Sequence, residues 1–305
     1  MRKVVFASLV FVVCVVLAVP AFAQQTTGNI TGRATDQQGG ALPGVTVTAT
    51  QAATGFTRMV VTDGEGVFRL AGVPIGSIDL KLDMSGFATL ERKDLILNVG
   101  QTLNLDVQLQ VASMSETVTV SGDTPLLETT SSSVGGVVDV NKIQAMPLNG
   151  RQFANLAMTV AGVAMGFHSD PTKSTQQSPQ IAGGNGRNVN YQIDGGDNND
   201  DTVGGLLQLF PLEAIQEFNF VTQRYKAEYG RSNGGVMNIV TKSGTNSFKG
   251  SFFTAFRDDA MNAITKSQEL AKVPKQDYRR YQYGGSFGGP IVQNRAHFFA
   301  AFERT

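Results

Sequence analysis

From Phe248 onward the chain alternates. Phe248, Phe252, Thr254 and Phe256 interleave with Lys249 and Ala255; a return segment covers 281–287, and a third covers 297–302 behind the tight turn Gln293-Asn294-Arg295. Successive side chains of a strand point to opposite faces, so each segment presents one aromatic face and one small or polar face. Strands that cross a bilayer are about 9 to 11 residues long, with aromatic rings at the interfaces and short turns on one side, and these segments fit. A soluble sandwich is the reading that alternation alone leaves open. In lipid every backbone polar group must be paired, so three strands do not suffice, and plugged outer-membrane barrels have about 22. The chain, ending on Thr305, is therefore expected to stop early in a barrel.

The preceding residues are of another kind. The 305-residue chain carries 25 basic and 25 acidic side chains, and this balance suggests no polyanion, hence no nucleic-acid partner. Its 34 Gly, 19 Phe and lack of Trp are a β-leaning, turn-rich composition. Residues 1–23 combine Arg2-Lys3, an apolar run over 4–19, Pro20, and Ala21-Phe22-Ala23. That is a secretory signal with an A-x-A site at Ala21 and Ala23, too short for a membrane span. Cys14 offers a lipoprotein alternative, but Val13 stands where a small residue is needed. Cleavage after Ala23 removes the only cysteine, and with it any disulfide or thiolate metal site.

Over 24–110, β-branched runs recur between turn signals: 30–34, 45–50, 57–61, 67–70, 78–82, 95–99 and 103–109. Short, evenly spaced strands with turns such as Leu42-Pro43-Gly44 and Asp63-Gly64-Glu65-Gly66 predict an antiparallel β-sandwich. Asp63 and Glu65 read as solvated turn residues rather than calcium or sugar ligands. Residues 111–125 read as a tether. Within it, Glu116, Thr117, Val118, Thr119 and Val120 form a β-competent peptide that can add to a partner's sheet or begin the next domain; pattern alone does not separate these.

Residues 126–244 read as an α+β unit. It holds a strand and short helix over 137–148, an apolar helix over 152–160, and a strand–turn–strand in which 218–221 and 236–240 flank Glu228-Tyr229-Gly230-Arg231. Residues 180–182 and 189–193 are expected to pair as a hairpin about the turn at 183–188. That geometry puts the irregular stretches 166–179 and 195–205 at the pole opposite the turn. Those loops hold the substrate-binding candidates His168, Asp170, Asp197, Asn198, Asn199, Asp200 and Asp201, groups suited to hydrogen-bonding polyols or sugars.

Chemical catalysis finds no support. The acidic run at 194–201 fails the calcium-loop pattern, with Asn199 in the glycine position and Gly205 in the place of the bidentate Glu. The glycines at 183–186 do not complete a dinucleotide fingerprint, because Val189 stands where Gly or Ala is required. His168-Ser169-Asp170 are sequence neighbours, which is not how a triad converges. With His168 and His297 as the only histidines there is no zinc-protease motif, so the expectation is no enzyme, no cofactor and no metal.

Two resemblances sharpen this reading. Gly39-Gly40, Leu42-Pro43-Gly44-Val45-Thr46-Val47 and Thr62-Asp63-Gly64-Glu65-Gly66-Val67-Phe68 resemble the carboxypeptidase-regulatory-like domain, a carbohydrate-binding-like fold that is not itself catalytic. Pro147-Leu148-Asn149-Gly150-Arg151, the AIQEF run at 214–218, AEYGR at 227–231 and GGVMNIVTKSGTN at 234–246 resemble the plug, and the start of the barrel, of Oar-like TonB-dependent outer-membrane receptors. The resemblance implies a mainly β protein in the outer membrane, its amino-terminal domain in the periplasm: signal 1–23, sandwich 24–110, tether 111–125 with a TonB box at 116–120, plug 126–244, and opening of the barrel 245–305. It further implies TonB and outer-membrane lipid as partners and an unknown substrate, which crosses inward when TonB pulls the plug. The alternative is a secreted carbohydrate-binding or adhesive module that does not transport.

Overall fold

The computed structural model describes residues 26–112, 117–121, 131–146, 148, 151–167, 177–181, 186–202, 204–275 and 277–305. The first unit comprises β1 (Thr27–Thr35), β2 (Thr46–Gln51), β3 (Phe56–Val61), β4 (Val67–Pro74), β5 (Gly76–Asp83), β6 (Thr89–Leu97), β7 (Thr102–Asn104), β8 (Val107–Gln108) and β9 (Thr117–Ser121). Every second residue of β1 and β2 is buried, and Ile30, Val47, Phe68, Leu70, Leu80, Leu82 and Leu97 form the core between two sheets. One sheet runs β4-β1-β7 with β8 also on β1, and the other runs β3-β2-β5-β6-β9. The sandwich is mixed rather than purely antiparallel, because β7 and β8 lie parallel to β1, and β9 parallel to β6. Period-two patterning fixes which face is buried but not strand direction, which depends on how the chain crosses between sheets.

The central unit contains β10 (Val134–Val138), α1 (Val140–Ala145, capped by the Asp139 side chain on the Lys142 N–H), a 3-10 turn over Phe153–Thr159, β11 (Val163–Phe167), β12 (Gln177–Ile181), β13 (Asn190–Ile193), β14 (Gly196–Asp197), β15 (Ile215–Gln223) and β16 (Val236–Thr241). Its principal sheet runs β10-β15-β16-β13-β14 over a core of Phe153, Leu156, Tyr191, Phe218, Phe220, Met237 and Ile239. The strand–turn–strand expected over 215–244 is the antiparallel pair β15–β16, with Val221 opposite Val236. Gly235 makes that corner possible. Its φ is +106°, and a Cβ there would lie 2.3 Å from Ile181 Cδ1.

The hairpin expected over 180–193 is absent. β12 pairs with β11, whereas β13 lies parallel to β16, Asn190 opposite Val236. Asn190, Tyr191 and Gln192 are all buried, so β13 needs covered neighbours on both faces, which an interior position supplies and a protruding hairpin does not.

The last unit is a three-stranded antiparallel meander of β17 (Lys249–Asp258), β18 (Arg279–Val292) and β19 (Ala296–Arg304), with α2 (Lys266–Leu270) in the β17–β18 connection. Phe252 is 78 % exposed, and Phe256, Tyr281, Tyr283, Phe287 and Phe302 are exposed too. The Phe256 and Tyr281 rings lie 5.0 Å apart, and Tyr283 and Phe302 lie 6.4 Å apart. The other face carries Ser251, Phe253, Ser286 and Glu303, and it turns toward the central unit.

Candidate functional site

Arg151 fastens the meander to the central unit. Its Nη2 donates to Glu213 Oε1 at 3.0 Å, its Nε lies 3.6 Å from Glu303 Oε2 on β19, and its guanidinium carbon sits 3.6 Å over the Phe253 ring of β17. Ser251 Oγ on β17 donates to the second oxygen of Glu213 at 2.9 Å. A planar, permanently charged fork can stack on an arene and pair with two carboxylates at once, which an ammonium cannot. The strand face opposite the exposed aromatics is therefore pinned by charge.

Both ends of the central sheet can be assigned. At one, Asp194 accepts from the Thr241 N–H (2.9 Å) and Oγ1 (2.7 Å), just before the chain passes through Asn246 into β17. Asn246 binds Asn294 of the β18–β19 turn through its Nδ2 (2.7 Å), and its N–H reaches Ala53 O of the sandwich (2.8 Å). Gly55, at φ +76°, leaves no room for a side chain there, since a Cβ would fall 2.1 Å from Asn294 Oδ1.

At the other end, Arg187 Nη2 donates to Thr202 O at 3.2 Å, Ser232 Oγ to Asn188 O at 2.8 Å, and Arg231 pairs with both Asp197 and Asp201. The segment from Asp197 to Gly205 thus lies beside Arg187 and Asn188 rather than at the opposite pole. The expected separation fails because it rested on a hairpin that does not form. His168 and Asp170 lie outside the described residues, as do Ala21, Ala23 and Glu116.

The five remaining candidates divide by what their side chains already do. Asn198 is 3 % exposed and exchanges two 3.0 Å hydrogen bonds with the Gln208 backbone. Asn199 binds Asn190 Oδ1 (2.8 Å) and accepts the Tyr191 N–H (2.9 Å), and buried Asp200 accepts the Thr202 N–H (2.9 Å). These three shape the loop. Asp197 and Asp201 are exposed, with the Arg231 guanidinium between them in the place a bridging cation would need. Partial burial works against the Asp197 charge, but hydrogen bonds from Asn199 and the charge of Arg231 hold its carboxyl below the usual range.

Residues 117–121 belong to neither a free tether nor the central sheet. As β9 they extend the sandwich, with Thr89 opposite Thr117 and Lys93 opposite Ser121. The sandwich also touches the central unit directly. The Val99 N–H donates to Glu217 Oε1, Asn219 Nδ2 donates to Val99 O (3.4 Å), and a cavity of about 150 Å³ lies beside them. Burial is the main cause that pushes the Glu217 carboxyl up to about 7, and the Asp139 charge adds to it, while the Val99 N–H opposes them.

Residues 29–110 match the carboxypeptidase regulatory-like domain family, and residues 240–305 match the outer membrane beta barrel domain family. Across 291 residues, 92 % of the chain, the sequence is 30 % identical to the TonB-dependent transporter Oar of Myxococcus xanthus. The chain is a homologue of a TonB-dependent outer-membrane transporter. It spans 27 % of the length of that transporter.

The meander falls within the outer membrane beta barrel match, and with the homology this makes the chain an outer-membrane protein of the Gram-negative type. The carboxypeptidase name of its first domain does not make it an enzyme, because the homologue is a transporter. Among solved structures, the siderophore receptor PirA from Pseudomonas aeruginosa aligns at 22 % identity over 55 % of this chain and 28 % of its own, with a TM-score of 0.38. Catechol 1,2-dioxygenase from Pseudomonas arvilla aligns at 14 % identity over 31 % and 55 %, with a TM-score of 0.25. At these scores neither overlay carries an argument. Sequence reasoning missed Arg151, Glu213, Arg231 and Glu217 as working residues. Arg151 and Arg231 each close a motif that carried the resemblance, and Glu217 is a charge inside an apolar run; these were the available signals.

Proposed function

We propose that the chain is the amino-terminal part of a receptor that takes up a large polar solute, an oligosaccharide or similar nutrient, with energy delivered by TonB. The observation that supports this best is Arg151, which ties the plug to the polar face of strands whose other face is aromatic and exposed. That is the arrangement of a plug held against the inner wall of a barrel. In this reading the chain divides near 110, 125 and 244 into sandwich, tether, plug and barrel opening, and 116–120 is the coupling segment.

Short turns of outer-membrane barrels lie on the periplasmic side. The β18–β19 turn at Asn294 therefore marks the periplasmic end of the plug, and the end holding Arg187, Asp197, Asp201 and Arg231 faces outward. Substrate contacts are assigned to Asp197, Asp201 and Arg231, with His168 and Asp170 as further candidates.

The test is uptake of a panel of labelled oligosaccharides and ferric siderophores in strains lacking the receptor gene or lacking TonB. The proposal expects the same solute to be lost from both strains. A solute lost without the receptor but retained without TonB would refute it.

A further inference from the structure

The register of β17 and β18 puts two kinds of charge pair on successive rungs. Asp258 stands opposite Arg279, whose Nε donates to Asp258 Oδ2 at 3.0 Å, so this rung is neutral. The neighbouring rung sets Arg257 opposite Arg280. Like charges directly opposite one another destabilise a strand pair, a cost that an anionic ligand would offset. Because side chains alternate between faces, Arg257 and Arg280 share the face of Ser251, Phe253 and Ser286 that turns toward the central unit, whereas Asp258 and Arg279 share the aromatic face of Phe256 and Tyr281.

One ring positions both luminal arginines. The guanidinium carbon of Arg257 lies 5.5 Å from the centre of the Tyr278 ring, and that of Arg280 lies 6.0 Å from it. Stacking of this kind occupies the flat face of a guanidinium and directs its N–H edge toward oxygen acceptors. The Asp259 N–H donates to Tyr278 O at 2.7 Å and ties the two ends of the β17–β18 connection together beside them. A concavity of about 330 Å³ opens there. Lys275 lines it as a third cation, and Asp259 is the one carboxylate among the described residues around it, which leaves a surplus of two positive charges.

Resting on the reading of the meander as the opening of a barrel whose short turns are periplasmic, we propose that Arg257, Lys275 and Arg280 form a site at the outer mouth of the lumen for an oxyanion, a carboxylate or phosphate group carried by the solute taken up. The long β17–β18 connection is then the outer one. Arg257 is four residues beyond Phe253, the ring under Arg151, so the site lies about 13 Å farther out than the point where the plug is fastened. Charge-assisted hydrogen bonds from arginine suit carboxylate and phosphate oxygens. The ligand arrives from water rather than from lipid, because the lipid side of these strands is the one that bears Phe256 and Tyr281. The polar solute of the preceding subsection is thereby narrowed to an acidic one.

Inorganic pyrophosphate is the probe, titrated into purified full-length receptor in detergent free of lipopolysaccharide, at low and at high salt. Binding should weaken with salt. R257Q/R280Q should weaken it by about tenfold or more and K275Q, outside the strands, by about threefold, whereas R279Q, on the other face, should stay within about twofold of wild type. Absence of binding to the wild type, or an equal loss in R279Q, overturns the site. So does unchanged binding in R257Q/R280Q, or in K275Q should the double variant not fold. Displacement of pyrophosphate by micelles of diphosphorylated lipid A would assign the site to a lipid headgroup and overturn the assignment to a solute. In cells, TonB-dependent uptake of a neutral solute that is unchanged in R257Q/R280Q overturns the inference and leaves the transport reading standing. Uptake that proceeds without TonB, alongside pyrophosphate binding that is lost in R257Q/R280Q, removes the transport reading and supports the anion site.

Discussion

Glu217, on the interior strand β15 of the plug, accepts the backbone N–H of Val99 from the sandwich. Asn219, two residues along, donates to the carbonyl of the same residue at 3.4 Å, so both backbone polar groups of Val99 in the first domain are held by the second. The Glu217 carboxyl is buried, and in this setting it keeps its proton up to about pH 7, against an ordinary value of 4.5. Undocked and hydrated, it would ionise near that ordinary value. Docking therefore takes up a proton between pH 4.5 and 7. It is strongest at the acid end, weakens as pH rises through this window, and is level above it.

Energy transfer between fluorophores on the sandwich and the plug should consequently report more docked receptor at pH 5.5 than at pH 8, with an equilibrium change on the order of tenfold to a hundredfold. Glu217→Gln cannot ionise and should dock to the same extent at both values. A wild-type receptor that is equally docked at both would show that Glu217 is not the controlling group.

Arg151 should tolerate lysine poorly. Arg151→Lys keeps the charge but loses the stacked fork over Phe253, and Arg151→Ala leaves Glu213 and Glu303 half-buried without their cation. Urea denaturation followed by a plug fluorophore should show losses of about 1 to 2 kcal/mol for lysine and about 2 to 4 kcal/mol for alanine. Equal stability of all three proteins would remove Arg151 from its role as a fastener.

The loop at the outer end of the plug should separate binding from folding. Asp197→Ala, Asp201→Ala or Arg231→Ala should each weaken substrate binding several-fold, corresponding to about 0.5 to 1.5 kcal/mol, at unchanged melting temperature. Asn198→Ala removes both bonds to Gln208 from a buried position and should cost about 1 to 3 kcal/mol of stability. Calorimetric titration alongside thermal melts distinguishes the two classes. A stable Asn198→Ala protein with lost binding would reverse the assignment.

The leader makes a separate prediction. With Ala21 and Ala23 at the small-residue positions, exported protein should begin at Gln24 on amino-terminal sequencing, and a lipidated start at Cys14 would contradict it.

What the sequence conveyed well was local. Alternation placed Phe252 and Phe256 together on one face of the meander, because period and face are set residue by residue. Pairing partners were less legible. Residues 189–193 look like half of a hairpin until Asn190, Tyr191 and Gln192 prove to be buried on both sides beside β16, and that misreading sent the 197–205 loop to the wrong end of the plug. β9 was legible as a strand but not as the sandwich's own edge, since five short polar and β-branched residues fit any sheet. Arg151 and Arg231 act across 62 and 34 residues of chain, on Glu213 and Asp197, and no local pattern encodes such distances.

The central claim, a receptor driven through 116–120, is tested most directly by Val118→Pro in the full-length protein, with binding and uptake of the identified solute measured on the same cells. Proline removes a backbone donor from the strand and cannot sustain a ladder there. The account predicts surface binding at the wild-type level with uptake abolished. Wild-type uptake in that variant would contradict it.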